Sequence, residues 1–159
     1  MAITVVEICG KELKKRKLRL AFVESATAGR LCSEFSLVKD AGDFLMGGLV
    51  CYDAGLKQDI LGVPRDIIKN FTAESEEVTE ELARRLPQLI SADIHIAITG
   101  LTTPGGSETP EKPVGTMFIH MIFQNTSFKE RKLFRGDAEK IVLQTVETVA
   151  EMILRALGK

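Results

Sequence analysis

Leu18-Arg19-Leu20-Ala21-Phe22-Val23-Glu24-Ser25-Ala26-Thr27-Ala28-Gly29 decides the fold. The apolar run from Leu18 to Val23 has the length of a strand buried on both faces, not of a helix. It gives way to polar and small residues that end in glycine. The spacing then predicts a helix over 27–37, with Leu31, Phe35 and Val38 inward. A buried strand followed by a turn and a helix is the opening half of a parallel crossover.

The pattern extends in both directions. Upstream, Val6, Cys9 and Leu13 fall at helical spacing over residues 4–17, and Lys14, Lys15, Arg16 and Lys17 crowd the last turn, where cations suit the helix dipole. Gly10 weakens that helix. Downstream, Phe44 to Tyr52 is a second strand, whose Gly47-Gly48 pair predicts a bulge or a close backbone approach. A short helix over 54–61 follows, and Pro64 opens another at a position where its missing N–H costs nothing. Ser75 is an N-cap with Glu76 and Glu77 in the first turn. Val78, Leu82 and Leu86 share one face of that helix, and Pro87 kinks it or ends it early.

Ile94, Ile96 and Ile98 alternate into Thr99-Gly100 as a third strand. Residues 100–114 are a long Gly/Pro/Thr loop of the kind that is functional or mobile in compact domains. Thr116–Phe123 and Ser127–Phe134 form a hairpin around Gln124-Asn125. The last helix, 137–157, carries Val142, Val146, Val149, Ile153 and Leu157 as one apolar stripe. The reading is a single domain over 1–159, an α/β layered sandwich with a mixed sheet flanked by helices.

Composition limits function. The 159 residues hold 21 Lys plus Arg against 22 Asp plus Glu, a formal net charge of -1. That balance argues against a nucleic-acid binder, which needs clustered cations to neutralise phosphates. No apolar run reaches the ~20 residues of a membrane helix, so no membrane partner is expected. The N-terminus has no basic region ahead of an apolar stretch, so no signal peptide is expected. Cys9, Cys32 and Cys51 form no metal or disulfide pattern, which points to a reducing cytoplasm. A homo-oligomer is plausible on base rates alone.

In open α/β sheets ligands bind where strands end and helices begin. Residues 24–29, 52–57 and 99–115 are the three such loops. Ser25 sits at a strand-to-helix turn, where it is either a cap or a nucleophile. The two histidines, His95 and His120, lie inside strand patterns and make poor bases for it. Lys57 is the other candidate. Burial lowers a lysine by as much as ~3–5 pKa units, and a neutral Lys57 beside Ser25 would take its proton; exposed, it is a solvated charge. Tyr52, the only tyrosine, either packs at a strand end or orients the lysine and relays its proton.

Taken together the motifs resemble the CinA C-terminal domain family (competence/damage-inducible protein CinA, or the PncC-type nicotinamide-nucleotide amidases). Glu24-Ser25-Ala26-Thr27-Ala28-Gly29 is similar to its Glu-Ser-x-Thr-x-Gly signature. Gly47-Gly48-Leu49-Val50-Cys51-Tyr52, then Lys57-Gln58 and Leu61-Gly62-Val63-Pro64, resembles a second block. Ser75-Glu76-Glu77-Val78 resembles a third. Thr99-Gly100, Pro104-Gly105-Gly106 and Thr109 through Gly115 resemble a fourth, and Phe134-Arg135-Gly136-Asp137 a fifth. The blocks occur in order along nearly the whole chain.

The resemblance implies a cofactor-free amidohydrolase that converts nicotinamide mononucleotide to nicotinic acid mononucleotide and ammonia. It implies Ser25 as nucleophile, Lys57 as base and Tyr52 beside them. It implies a small-molecule, nucleotide-like substrate held by Glu24, Thr27, Gly29, Gly48, Thr99, Gly100, Pro104, Gly105, Gly106, Lys112, Gly136 and Asp137. Five positions depart from the usual pattern: Ala26 for a cysteine, Ala28 and Thr103 for glycines, and Ala138 and Val142 for arginines that would meet a phosphate or carboxylate. These departures imply an alternative, a diverged and catalytically weak or silent member that binds a nucleotide-like ligand or a protein partner.

Overall fold

The computed structural model describes residues 3–159. Its parallel core is β1 (Leu20–Glu24), flanked by β2 (Leu45–Val50) and β3 (Ile94–Gly100). β4 (Thr116–Phe123) and β5 (Thr126–Leu133) extend the sheet as an antiparallel hairpin beyond β3, giving the order β2-β1-β3-β4-β5. The sheet is therefore mixed, as the sequence predicts.

Two faces of β1 feed two cores. Leu20 and Phe22 face a core built from α1 (Thr4–Arg16), α2 (Arg30–Ser36) and α6 (Ala138–Ala156). Ala21 and Val23 face a smaller one, built mainly on α5 (Glu76–Arg85) with Leu61 at the end of α3 (Ala54–Leu61). α4 (Arg65–Phe71) packs against α5 on the same side. The topology explains the split. The crossover from β1 to β2 and the crossover from β2 to β3 run in opposite directions across the sheet. Both crossovers keep the right-handed sense only if their helices lie on opposite faces. The two faces part at β1, and the C-terminal ends of β1, β2 and β3 open there onto one edge.

Close approaches are built with glycine at Gly10 and Gly48. A Cβ on Gly10 would stand 2.8 Å from Val38 Cγ1, and one on Gly48 2.5 Å from Phe22 O and 2.9 Å from Cys32 Sγ. Gly48 thus lets β2 pack against β1 and α2. Its role is close packing, and it lines neither cavity beside Ser25, which corrects its expected place in substrate binding.

Two helical expectations change. The helix expected over 27–37 begins only at Arg30, because Ala28 and Gly29 are left-handed, with φ of 47° and 95°. The stripe expected on the last helix holds at Val146, Val149, Ile153 and Leu157 and changes only in its first turn. Ile141, Thr145, Val146, Val149 and Ile153 are buried, whereas Val142 faces an open cleft. Among the described residues no helix is long and apolar enough to cross a membrane.

Candidate active site

Ser25 is held by its backbone. Its N–H donates to Ile98 O at 3.0 Å, which ties the first residue after β1 to β3. Lys57 comes from the first turns of α3, which starts where Asp53 caps Gly55 N at 2.7 Å. The Lys57 side chain runs inward and is only 1% exposed. Its Nζ stands 3.0 Å from Ser25 Oγ and donates to Cys51 O at 2.7 Å. Burial pushes the Lys57 pKa below the ordinary lysine value, against the opposing pull of Glu74, Cys51 and Asp53. A buried amine with a depressed pKa, in hydrogen-bond reach of a hydroxyl, is the arrangement a nucleophile and its base require.

Tyr52 lines a cavity with Ser25, but it does not orient the lysine. β2 runs into Cys51 and Tyr52 with alternating side chains, so Cys51 is buried and Tyr52 is 61% exposed. Tyr52 makes no side-chain hydrogen bond among the described residues, and the backbone carbonyl of Cys51 orients the lysine instead. Burial pushes the Cys51 thiol up, so that residue serves through its carbonyl rather than its sulfur.

Two cavities meet at Ala26, next to Ser25. The inner one, about 220 Å³, is lined by Ser25, Ala26, Tyr52, Glu74, Gly100 and the 101–106 segment, including Pro104, Gly105 and Gly106. The outer one, about 630 Å³ and more open, shares Ala26, Tyr52, Thr102 and Thr103 with it. It continues past Thr27, Ala28, Gly29, Arg30 and Ser33 to Ala138, Glu139 and Val142. Thr27 is 2% exposed, and its Oγ1 has no partner among the described residues. A further depression, lined by Glu7, Lys11, Lys14, Lys15, Val38, Lys39 and Asp40, lies on α1, remote from the serine. Its Lys14 is already paired with Asp40 and Asp43.

Several residues expected to hold substrate are structural. Glu24 is 1% exposed, and its carboxylate accepts from Leu31 N at 2.8 Å and Cys32 N at 3.1 Å. α2 starts at Gly29, which offers no side chain, and Glu24 supplies the missing cap. Ser25 is consequently not a cap. Thr99 is fully buried and bonds Thr79 of α5 through the two hydroxyls at 2.8 Å. Asp137 caps α6 by accepting from Lys140 N at 2.9 Å, which lowers its pKa. Gly136 lies in a separate shallow depression with Phe134 and Arg135. Lys112 donates to Thr72 Oγ1 (2.6 Å), Glu74 O (2.7 Å) and Ser107 Oγ (3.2 Å), clamping two loops together.

The sequence reading missed Glu74, Arg30 and Glu139. Glu74 stands just before the Ser75 cap, in a turn with no motif of its own. Its position in the cavity follows from the Lys112 clamp, 38 residues away in sequence. Among the described residues no group of three His, Cys, Asp or Glu side chains is placed to hold a metal.

A mixed α/β sheet with a buried serine–lysine pair at the ends of its parallel strands defines the class. The chain belongs to the CinA C-terminal domain family, whose profile matches residues 2–157. It is 40% identical over 151 residues to a "CinA-like protein" of Thermotoga maritima, covering 95% of this chain and 36% of the relative. A "putative competence-damage inducible protein" of Moorella thermoacetica is 34% identical over 154 residues, covering 97% of this chain and 37% of the relative. The chain thus spans about a third of the length of such relatives. Among solved structures, a competence or damage-inducible protein from Enterobacter asburiae superposes with a TM-score of 0.90 at 29% identity, covering 96% of each chain. A CinA superfamily protein from Klebsiella pneumoniae superposes at 0.91 and 28% identity, covering 97% of this chain and 96% of that one.

Proposed function

We propose that this chain is a serine/lysine amidohydrolase that deamidates nicotinamide mononucleotide or a closely related small amide. The observation that carries the reading is the buried Lys57 Nζ, 3.0 Å from Ser25 Oγ at the floor of an open cleft. Solvated lysines are protonated at neutral pH and cannot accept a proton. Burial with a depressed pKa gives Lys57 a neutral population that can.

The chemistry is acyl transfer. Lys57 takes the Ser25 hydroxyl proton as Oγ bonds to the carboxamide carbon. The N–H groups of Ala26 and Thr27 donate to no acceptor among the described residues and are available to a developing oxyanion. One such donor is worth ~2.7–4 kcal/mol of barrier. The C–N bond then breaks, the departing nitrogen takes the proton from Lys57, and ammonia leaves. Water, its proton accepted by Lys57, attacks the Ser25 ester. The acid product leaves and Oγ regains its proton. The inner cavity is smaller than the ~300–1,000 Å³ usual for drug-sized ligands, which suits one ring and its amide.

The alternative, a diverged binder, draws on a different observation: Ala138 and Val142 line the outer cavity with apolar surface. Ammonia release from nicotinamide mononucleotide, with wild type and Ser25→Ala side by side, separates the two. Release that vanishes in the variant supports the amidase. A folded wild type that releases none from this or related amides favours the binder.

A further inference from the structure

The charged groups of the two cavities say what kind of amide belongs there. Among the described residues Glu74 is the only charged side chain lining the inner cavity. One of its oxygens accepts from Ser107 Oγ at 2.5 Å, and the other has no hydrogen-bond partner among the described residues. The backbone holds this carboxylate in place at a cost. Thr72, two residues earlier, is β-branched yet has φ 70° and ψ 161°, a backbone region nearly reserved for glycine. The Lys112 clamp and the Thr72 hydroxyl, which donates to Glu74 O at 3.1 Å, hold that conformation. The Lys112 ammonium is spent on loop oxygens and does not line the cavity.

The outer cavity holds one lining cation among the described residues, Arg30. Its Nε donates to Glu34 Oε1 at 2.6 Å, and its Nη1 lies 3.5 Å from Glu139 Oε1. Arg30 is therefore already neutralised, and Glu139 itself lines the cavity. A phosphate monoester, with close to two negative charges at pH 7, would compete with two carboxylates for one guanidinium.

We propose that Glu74 is a specificity-determining residue, and that the cleft takes a carboxamide on a cationic ring that carries no phosphate, such as a pyridinium nucleoside. The inference rests on the amidase reading only for the amide itself. Glu74 faces the ring cation across the inner cavity, and the sugar lies against Thr103, Ala138 and Val142 in the outer one.

Binding tests this without turnover. The Ser25→Ala protein is titrated calorimetrically with nicotinamide riboside, nicotinamide mononucleotide and neutral nicotinamide. The riboside is expected to bind at least tenfold tighter than the mononucleotide. Adding Glu74→Gln should weaken riboside binding about tenfold and leave nicotinamide unchanged. Adding Glu139→Lys instead, at a side chain 72% exposed and so harmless to folding, should move the preference about tenfold toward the mononucleotide. Equal or tighter mononucleotide binding overturns the proposal, as does a riboside affinity indifferent to Glu74→Gln, or no binding by any of the three. Ammonia release is measured separately with Ser25 intact. If wild type hydrolyses the mononucleotide better than the riboside, the amidase reading stands and this inference fails.

Discussion

The two ends of one cleft are built on different principles. At the inner end polar side chains hold one another: Lys57 on Ser25 and Cys51, Glu74 on Ser107, Lys112 across two loops. At the outer end the walls are methyl and methylene surface from Ala28, Thr103, Ala138 and Val142, and the lining arginine is matched by two carboxylates. The difference teaches that, under the proposed function, the bond-breaking chemistry and much of the choice of substrate rest on separate residues. The first sits on strand ends locked by the sheet. The second rests on Glu74 and on cleft-facing positions such as Thr103, Ala138 and Val142, which lie outside the buried cores.

The largest expected effect lies at the inner end. Lys57→Met should cut turnover by roughly 10²–10⁴-fold, the worth of a general base, while ligand affinity stays nearly constant. An affinity loss as large as the rate loss would make Lys57 a binding group instead. The same variant should stabilise the fold. Folding lowers the Lys57 pKa below its ordinary value of 10.5, so burying the charged form costs stability at every pH below the folded value. That cost fades as pH climbs from the folded value toward 10.5. The gap in Tm between variant and wild type should therefore be widest at neutral pH and close in alkali.

Next in size is the floor that joins the two ends. Glu24→Ala removes two hydrogen bonds from a buried carboxylate and leaves the first N–H groups of α2 unpaired, at a cost of about 3 kcal/mol in denaturant unfolding. A change under ~0.5 kcal/mol would mean that water caps α2 equally well. The pH profile sharpens the contrast further. The rate should rise with pH through an inflection below 10.5, and Glu74→Gln should lower that inflection, because Glu74 favours the charged lysine. An inflection that does not move would break the link between Glu74 and the serine–lysine pair.

At the outer end the effects are smaller. Ala138→Arg should lower the Michaelis constant for nicotinamide mononucleotide about tenfold, the lower limit for one charge-assisted contact, with turnover little changed. Ala28→Gly relieves a left-handed alanine and should raise stability by ~0.5–1 kcal/mol, with no change in rate.

Much of this molecule was legible before folding. Leu18–Val23 reads as a doubly buried strand because, Arg19 apart, it is a short apolar run between polar turns. Ile94, Ile96 and Ile98 alternate as a strand must, and Ser75 announces α5 with a cap that the structure uses, accepting from Val78 N at 3.2 Å. Ser25 and Lys57 could be named as candidates by residue type and by loop. Their meeting was implied only by the family resemblance, since 32 positions separate them and the β1–β2 pairing helps bring them together.

The misreadings share one cause. Glu24, Thr99, Asp137 and Lys112 are polar residues in loop-like stretches, and sequence cannot say whether such a group faces a ligand or a neighbouring backbone. Tertiary structure gave their hydrogen bonds to α2, α5, α6 and the 72–75 turn. Local pattern, set by the periods of helix and strand, determined the elements and their order. Tertiary packing decided which carboxylates cap helices, which lysine is buried with a depressed pKa, and that Glu74, in an unremarked turn, shares a cavity with the serine. Those outcomes depend on burial and on contacts across tens of residues, which no local period encodes.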